Sequence, residues 1–544
     1  MPGPSSIPNP EKPLHHETHP PVNRKTIVRQ KSDALSLLRW LIAGTAAMGI
    51  VLSLLPATGH DQLWFLWVGE RMLAGAKLYG PEIMEPNPPL IMWLSAAVTA
   101  VAHGFYLEST FVFKALQLLL IGGMFVLVER LLAVVTPHFF GKLLRPALLL
   151  FFIVAYLVIP ARDFGQREHL LSILCLPYLL AASRPQDGSW PKLLRIGIGL
   201  LAGIGFCLKP QQVLVFFAAE LLLVISRRSL RSLVRPEAVC IVAVGLGYLA
   251  CVWHFAPAYF TTTLPIIRNC YWAVGHLSIL ELLLESPQLQ VLAILSVAAL
   301  YLRRKHQCSS LACVLTTAGL AADGAYLQQG TGWYYQQIPG IVFLLAALFV
   351  HAAEIAQARA FAPTRWMRNA VAFLSILAAF LTLHFSGYPI TPDRSFPIDQ
   401  PDESLFRPLA RGTPIAILST NVEETIMPRA KYHLFWAQRM NNLWMLPAIL
   451  HSEPPAANPH HLSAATIQML ADKQHAFMAE DLQRWKPVLV LIERCYDPAV
   501  QCQMLEDRHD DLLAWFSRDA AFRAAFAPYR KQGQDGRFDV YTRQ

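Results

Sequence analysis

Apolar stretches of about 20 residues recur from Leu35 to about residue 388, each long enough to cross roughly 30 Å of hydrocarbon as a helix. A backbone in a bilayer interior must satisfy its own hydrogen bonds, so such a chain folds as a bundle of membrane-spanning helices. Eleven crossings are expected, at about 35–56, 110–131, 146–160, 168–183, 193–208, 211–226, 237–255, 287–302, 309–327, 338–354 and 369–388. With 54% apolar residues, 15% charged residues and a mean hydropathy of +0.36, the chain lies outside the range of soluble domains.

The apolar segment 88–103 falls short of a crossing at about 16 residues, and is expected as a helix along the membrane surface within a first external loop, 57–109. This threading agrees with the positive-inside rule. Loops 129–146, 184–195, 226–236, 302–307 and 355–368 hold 16 Lys and Arg residues, against 6 in loops 57–109, 161–169, 209–210, 256–286 and 328–337. The net charge of +9 is therefore a topology signal rather than a nucleic-acid footprint.

Residues 1–34, rich in Pro, His and charge, read as a disordered cytoplasmic tail, with no cleavable signal peptide. An odd number of crossings from a cytoplasmic N-terminus puts residues 389–544 outside. Strand-like runs at Pro414–Leu418 and Val488–Ile492, with helical stretches around 462–485 and 505–526, predict a small α/β domain large enough to fold independently. The expected fold is thus a polytopic α-helical membrane protein (transmembrane domain 35–388) carrying a C-terminal α/β extracytoplasmic domain. Cys175, Cys207, Cys240, Cys251 and Cys313 lie in or near apolar spans as small hydrophobes, and no cysteines show a metal-ligand spacing. Cys495 and Cys502 could pair in an oxidising compartment.

The first loop holds the most chemistry. It opens Gly59-His60-Asp61, runs through an amphipathic stretch to Leu73, then Lys77-Leu78-Tyr79, and reaches Glu85-Pro86-Asn87-Pro88-Pro89-Leu90. Asp61, at the outer end of the first span, is either the cap of the following helix or a general base for an acceptor hydroxyl. The order Asp61, Glu70-Arg71-Met72-Leu73-Ala74-Gly75, Lys77-Leu78-Tyr79, Asn87-Pro88-Pro89-Leu90 resembles the first external loop of GT-C glycosyltransferases. It is most similar to the branch of protein O-mannosyltransferases and the lipid A aminoarabinose transferase. That resemblance implies that Asp61 is catalytic and that the Pro-led segment is a surface helix.

The second loop reads Arg162-Asp163-Phe164-Gly165-Gln166-Arg167-Glu168-His169. Charges at a span entrance mark either a functional site or an ion-pair group orienting two helices. The resemblance implies a second acidic residue at the start of the fourth span, which Glu168 matches best, with Asp163 as the fallback and Arg167 and His169 in support. Where many relatives carry a simple Asp, this chain has Arg-Glu-His. Lys209, at the outer end of the fifth span, matches a family lysine, and a cation there can pair with a donor phosphate or else snorkel. Arg268 is a second phosphate candidate, because guanidinium forks suit phosphate oxygens. Tyr334, Tyr335 and Gln336 can hydrogen-bond sugar hydroxyls, and Asn87 supports Asp61. In the C-terminal domain, His433, Trp436 and Trp444 read as core rather than as an acceptor groove.

These expectations describe a glycosyltransferase of the bacterial inner membrane, hexosyl or pentosyl, moving a sugar from a polyprenyl-phosphate donor to a lipid, glycan or protein acceptor with inversion. No cofactor is assigned, the metal requirement stays open with Asp61 and Glu168 as candidate ligands for a divalent metal, and membrane lipids are the surrounding partner. Two alternatives remain open at this point: a non-enzymatic transporter or flippase of a lipid-linked sugar, and a surface polysaccharide ligase or polymerase.

Overall fold

The computed structural model describes residues 24–54, 58–136, 144–184, 190–274, 277–285, 287–305, 308–358, 401–453 and 460–544. The chain is a polytopic helical membrane protein with a small C-terminal sheet. Ten of the eleven expected spans coincide with helices, and the eleventh, 369–388, lies outside the described residues. In chain order the helices are α1 (Arg24–Leu54), α2 (His60–Leu73), α3 (Leu90–Gly104), α4 (Ser109–Val135), α5 (Leu144–Leu157), α6 (Arg167–Ala182), α7 (Lys192–Leu208), α8 (Val213–Arg227), α9 (Pro236–Phe255), α10 (Leu264–Cys270), α11 (Ile279–Glu285), α12 (Pro287–Lys305), α13 (Ser310–Gln329) and α14 (Ile338–Ala358).

By length and composition, five segments of the described residues can cross a membrane: Ser109–Val135, Pro210–Arg227, Pro236–Phe255, Ser310–Gln329 and Tyr334–Ile355. The count of eleven rested on counting shorter helices as well, and α5, α6 and α7 have only 14, 16 and 17 residues. At 1.5 Å per residue these span about 21–26 Å, less than the hydrocarbon thickness. The apolar stripes that remain exposed are what a lipid-facing surface requires. On α9, Leu246, Leu249 and Trp253 recur at helical spacing, as do Phe217, Leu221 and Ile225 on α8.

Helix α1 begins ten residues earlier than the expected end of the N-terminal tail. Residues 22–34 contain neither Pro nor Gly, so nothing interrupts a helix until Pro20-Pro21. The segment expected to lie along the membrane surface is helical, α3, and packs along α2. Their approach is close at Gly69, where a Cβ would come within 2.7 Å of the Ser95–Ala96 backbone.

The C-terminal sheet has the order β2–β1–β3–β5–β4, from β1 (Pro414–Leu418), β2 (Phe435–Trp436), β3 (Leu489–Glu493), β4 (Tyr529–Asp535) and β5 (Phe538–Arg543). Strand β1 is parallel to β2 and β3, while β5 is antiparallel to β3 and β4. Five helices accompany it: α15 (Val422–Tyr432), α16 (Leu446–His451), α17 (Ala464–Trp485) and the pair α18 (Leu512–Phe516) and α19 (Ala520–Phe526).

Both sheet faces are buried, which is why β1 and β3 read as continuous apolar runs. Ile415, Ile417, Leu489 and Leu491 share an apolar cluster with Leu63, Trp64 and Trp67 of α2. The alternating set, Ala416, Leu418, Val490 and Ile492, joins α16, α17 and α18 together with Met84 and Ile266. The domain's core therefore continues into the first long loop. Trp436 and Trp444 are core residues, as expected, whereas His433 is exposed at the left-handed end of α15. Cys495 and Cys502 form a disulfide.

Sidedness has a direct test. Cysteine placed at Tyr106, which is 98% exposed in the turn after α3, should react with an impermeant maleimide in intact cells. Cysteine at the exposed Arg231, in the basic loop after α8, should react only after permeabilisation. Glu168 is fully buried, so a cysteine there would not report sidedness.

Candidate active site

The residues singled out in the first two loops converge on one place. Asp61 sits in the first turn of α2, but it is not the helix cap. Gly59 holds that position, and no side chain caps the helix. The Asp61 carboxylate instead accepts a hydrogen bond from Gln166 Nε2 at 2.9 Å, and its Oδ2 lies 4.0 Å from the Arg167 guanidinium. The capping alternative is thereby set aside.

Arg167, Glu168 and His169 open α6, and the chain reaches them through a sharp turn at Gly165. Its φ of +84° belongs to the left-handed region, and a Cβ there would fall 2.4 Å from the Phe113 ring. The His169 ring pins this turn: Nδ1 accepts from the Gly165 N–H at 3.0 Å and Nε2 donates to the Tyr156 carbonyl at 3.0 Å. With both nitrogens so used the imidazole is neutral and structural, which narrows the supporting role expected for it.

Arg167 donates to the Asn87 side-chain oxygen. Asn87 in turn donates through its backbone and side-chain nitrogens to Glu85 Oε1 at 2.9 and 2.6 Å, and Glu85 Oε2 accepts from the Trp64 indole. The Glu-Pro-Asn-Pro-Pro segment is thus a brace for the guanidinium. Burial pushes the Glu85 carboxyl above its ordinary range, against the pull of these donors and of Arg167.

Glu168 is fully buried and paired with Lys209 at 2.8 Å, tying the start of α6 to the end of α7. Burial lowers the Lys209 pKa, and Glu168 opposes that shift. Glu168 Oε2, Gln166 Oε1, Gln62 Oε1 and Arg167 Nε are buried without a hydrogen-bond partner among the described residues. Polar atoms of this kind are served by water or by a ligand.

Asp163 is buried beside this group, and its carboxyl is raised to about 7 by burial. Arg162 and His60 pull it down, while Asp61 and Glu168 push it further up. Between the unfolded value near 3.8 and about 7 the native chain holds a proton that the unfolded chain releases, so stability falls as pH rises through that window. Asp163→Asn should therefore raise the unfolding midpoint at pH 8, by up to about 4 kcal/mol in stability, and leave it nearly unchanged at pH 4. Thermal unfolding at the two pH values checks this.

Among the remaining candidates, Tyr335 is buried within electrostatic range of Asp61, Glu168 and Arg167. Tyr334 donates to the Ile159 carbonyl at 2.8 Å, and Gln336 accepts from Thr331 at 2.6 Å, so both are committed to local structure. Arg268 is exposed on α10 and takes no part in the ion-pair network of the described residues.

Three participants were not singled out from sequence. Gln166 holds Asp61, Glu85 braces Asn87, and Glu423 of α15 reaches from the C-terminal domain. The Glu423 carboxylate lies 3.3 Å from His60 Nδ1 and 3.2 Å from Arg162, and His60 Nε2 lies 3.4 Å from Asp61. Burial disfavours charge on His60, but Asp61 and Glu423 outweigh it and raise its pKa above 6.5.

The donor set does not make a divalent-metal site. Asp61 and Glu168 already face Arg167 and Lys209, and no group of three potential ligands among the described residues includes either carboxylate. What the geometry offers is two carboxylates and two cations from α2, α6 and the α7 terminus, covered by the C-terminal domain.

Neither a family model nor a curated protein matches the sequence. Among solved structures, ArnT from Cupriavidus metallidurans bound to undecaprenyl phosphate is similar with a TM-score of 0.48 and 12% identity, over 92% of this chain and 97% of that one. The same protein in the apo state gives a TM-score of 0.46 at 12% identity, over 93% and 98%. The archaeal oligosaccharyltransferase AglB from Archaeoglobus fulgidus, in complex with an inhibitory peptide and a dolichol-phosphate, gives 0.43 at 13% identity, over 93% and 74%. At this level of likeness the chemistry has to come from the site's own residues. Over more than nine-tenths of its length the chain aligns with ArnT and with AglB at 12–13% identity.

Proposed function

We propose that the protein is a membrane glycosyltransferase that takes a sugar from a polyprenyl-phosphate donor and delivers it to an acceptor hydroxyl or amine at the extracytoplasmic face. The observation that carries this reading is the junction of Asp61, Arg167, Glu168 and Lys209 at one end of the helix bundle. Asp61 takes the acceptor proton or orients the acceptor nucleophile, held in place by Gln166. As the bond from the anomeric carbon to the phosphate oxygen breaks, the leaving phosphate gains negative charge, which Lys209 and Arg167 stabilise. Attack opposite the leaving phosphate inverts the anomeric centre.

Glu168 holds Lys209 in position, and Tyr335 lines the same space. Arg268, outside this network, serves at most the approach of the lipid phosphate. The two carboxylates and two cations assigned to the reaction gather at one end of α2, α6 and α7, an arrangement that favours this reading over the transporter alternative.

The test is incorporation of label from a panel of radiolabelled polyprenyl-phosphate sugars by the purified chain in lipid vesicles, with membrane-extract acceptors. Transfer from at least one donor, and a product of inverted anomeric configuration, is expected. An absence of label transfer from every donor in the panel overturns the assignment.

A further inference from the structure

A second cluster of chemically active side chains lies at the other end of the bundle, at the start of α13 beside the end of α14. Ser309 caps α13, its hydroxyl accepting from the Ala312 N–H at 3.2 Å. That cap sets Cys308 immediately before it and Cys313 four residues beyond it, the two positions whose side chains meet across the first turn of a capped helix. The capped first turn thus carries both thiols at the start of α13. On α14, His351 and Glu354 are three residues apart and so share one helix face. Cys308 Sγ is 3.6 Å from His351 Nδ1, which is 4.0 Å from Glu354 Oε2, and the ligand atoms of these three residues all lie within 4.8 Å of one another.

The orientation of the histidine bears on what this cluster does. His351 is 1% exposed, and its Nε2 lies 3.2 Å from the Thr316 hydroxyl on the neighbouring helix, leaving Nδ1 directed at Cys308. A metal-ligating histidine is held in this manner, with one nitrogen fixed by an outer partner and the other on the ion. A tetrahedral zinc site with Zn–S near 2.3 Å and Zn–N near 2.0 Å places those two ligand atoms about 3.5 Å apart. The Cys308–His351 separation already meets that spacing, and the carboxylate needs only a small side-chain adjustment.

We infer that Cys308, His351 and Glu354 bind a zinc-class transition-metal ion that fastens the start of α13 to α14, with the Cys313 side chain swinging in as the fourth ligand. Binding of a divalent ion releases the two thiol protons, leaving two thiolates, a carboxylate and a neutral imidazole around it. The resulting single negative charge is offset by Arg303, whose guanidinium acts on both cysteines. Sequence spacing could not show this, because the ligands come from two helices some forty residues apart. The site is independent of the transfer chemistry, since α13 and α14 run from it toward Tyr335 at their opposite ends. The cysteines at this end are thiols, whereas the disulfide lies in the C-terminal domain.

The experiment uses the full chain purified in detergent through a tag without histidines. Elemental analysis after dialysis should find about one zinc ion per chain, and replacement by Co(II) should give a thiolate-to-cobalt charge-transfer absorption. Bound metal should also slow alkylation of Cys308 and Cys313 until a chelator is added. Cys308→Ser and His351→Ala should each lose the ion and the cobalt band. A well-folded wild-type chain that binds no zinc or cobalt overturns the inference, as does a Cys308→Ser/His351→Ala variant that retains its metal. If the variants do not fold, the cobalt spectrum of the wild type decides alone.

Discussion

Replacing Asp61 with Asn should lower the rate of sugar transfer by about 10²- to 10⁴-fold, the range removed with a general base, while leaving KM for the donor within a few-fold. The substitution keeps shape and an oxygen that can accept from Gln166 Nε2, as the carboxylate does now at 2.9 Å. Asp61 is only partly buried, so loss of its charge should change stability by less than about 1 kcal/mol. A large rate loss in a chain that unfolds at the parental temperature would therefore belong to the chemistry. Initial rates over a range of donor concentrations, paired with thermal unfolding, separate the two effects. Transfer by the variant at the parental rate would remove Asp61 from the mechanism.

The second large effect is on stability as well as on activity. Lys209→Met should destabilise the protein by about 3–5 kcal/mol, because it takes from the Glu168 carboxylate, fully buried and 2.8 Å from the lysine, its direct ion-pair partner. Adding Glu168→Gln to Lys209→Met should restore most of that loss, since an amide has no charge to leave unpaired. Transfer should stay low in the double variant, because the leaving phosphate has lost its cation. Unfolding midpoints of the two single variants and the double variant provide the cycle, and activity provides the contrast. Recovery of both stability and transfer in the double variant would reduce Lys209 to a structural role.

Much of this was legible in the residues. Apolar length marked out α1, α4 to α9 and α12 to α14, and the runs at Pro414–Leu418 and Val488–Ile492 fall on β1 and β3 within one residue. Arg167 and Glu168 stood out because charge beside an apolar span is expensive unless it has a purpose, whereas Asp61 and Lys209 stood out through the resemblance to GT-C glycosyltransferases. What sequence could not convey is pairing across distance. His60 meets Glu423 through the docking of α15 on α2, and no local pattern in the C-terminal domain marks that glutamate. The sheet's apolar strands announce burial without saying that one of their two covers is the first long loop. His169 looked chemical by its neighbours, but its two ring nitrogens are taken by the backbone. Short helices such as α5 are the other source of difference, since composition alone does not say whether a 14-residue apolar helix crosses a bilayer or stops within it.

The most direct measurement of whether this site breaks a sugar–phosphate bond is the stoichiometry of its products in proteoliposomes. For each sugar appearing on the acceptor, one molecule of free polyprenyl phosphate should be released, and both should vanish together in the Asp61→Asn chain. Intact lipid-linked sugar moving between leaflets, with no free polyprenyl phosphate formed, would contradict the account.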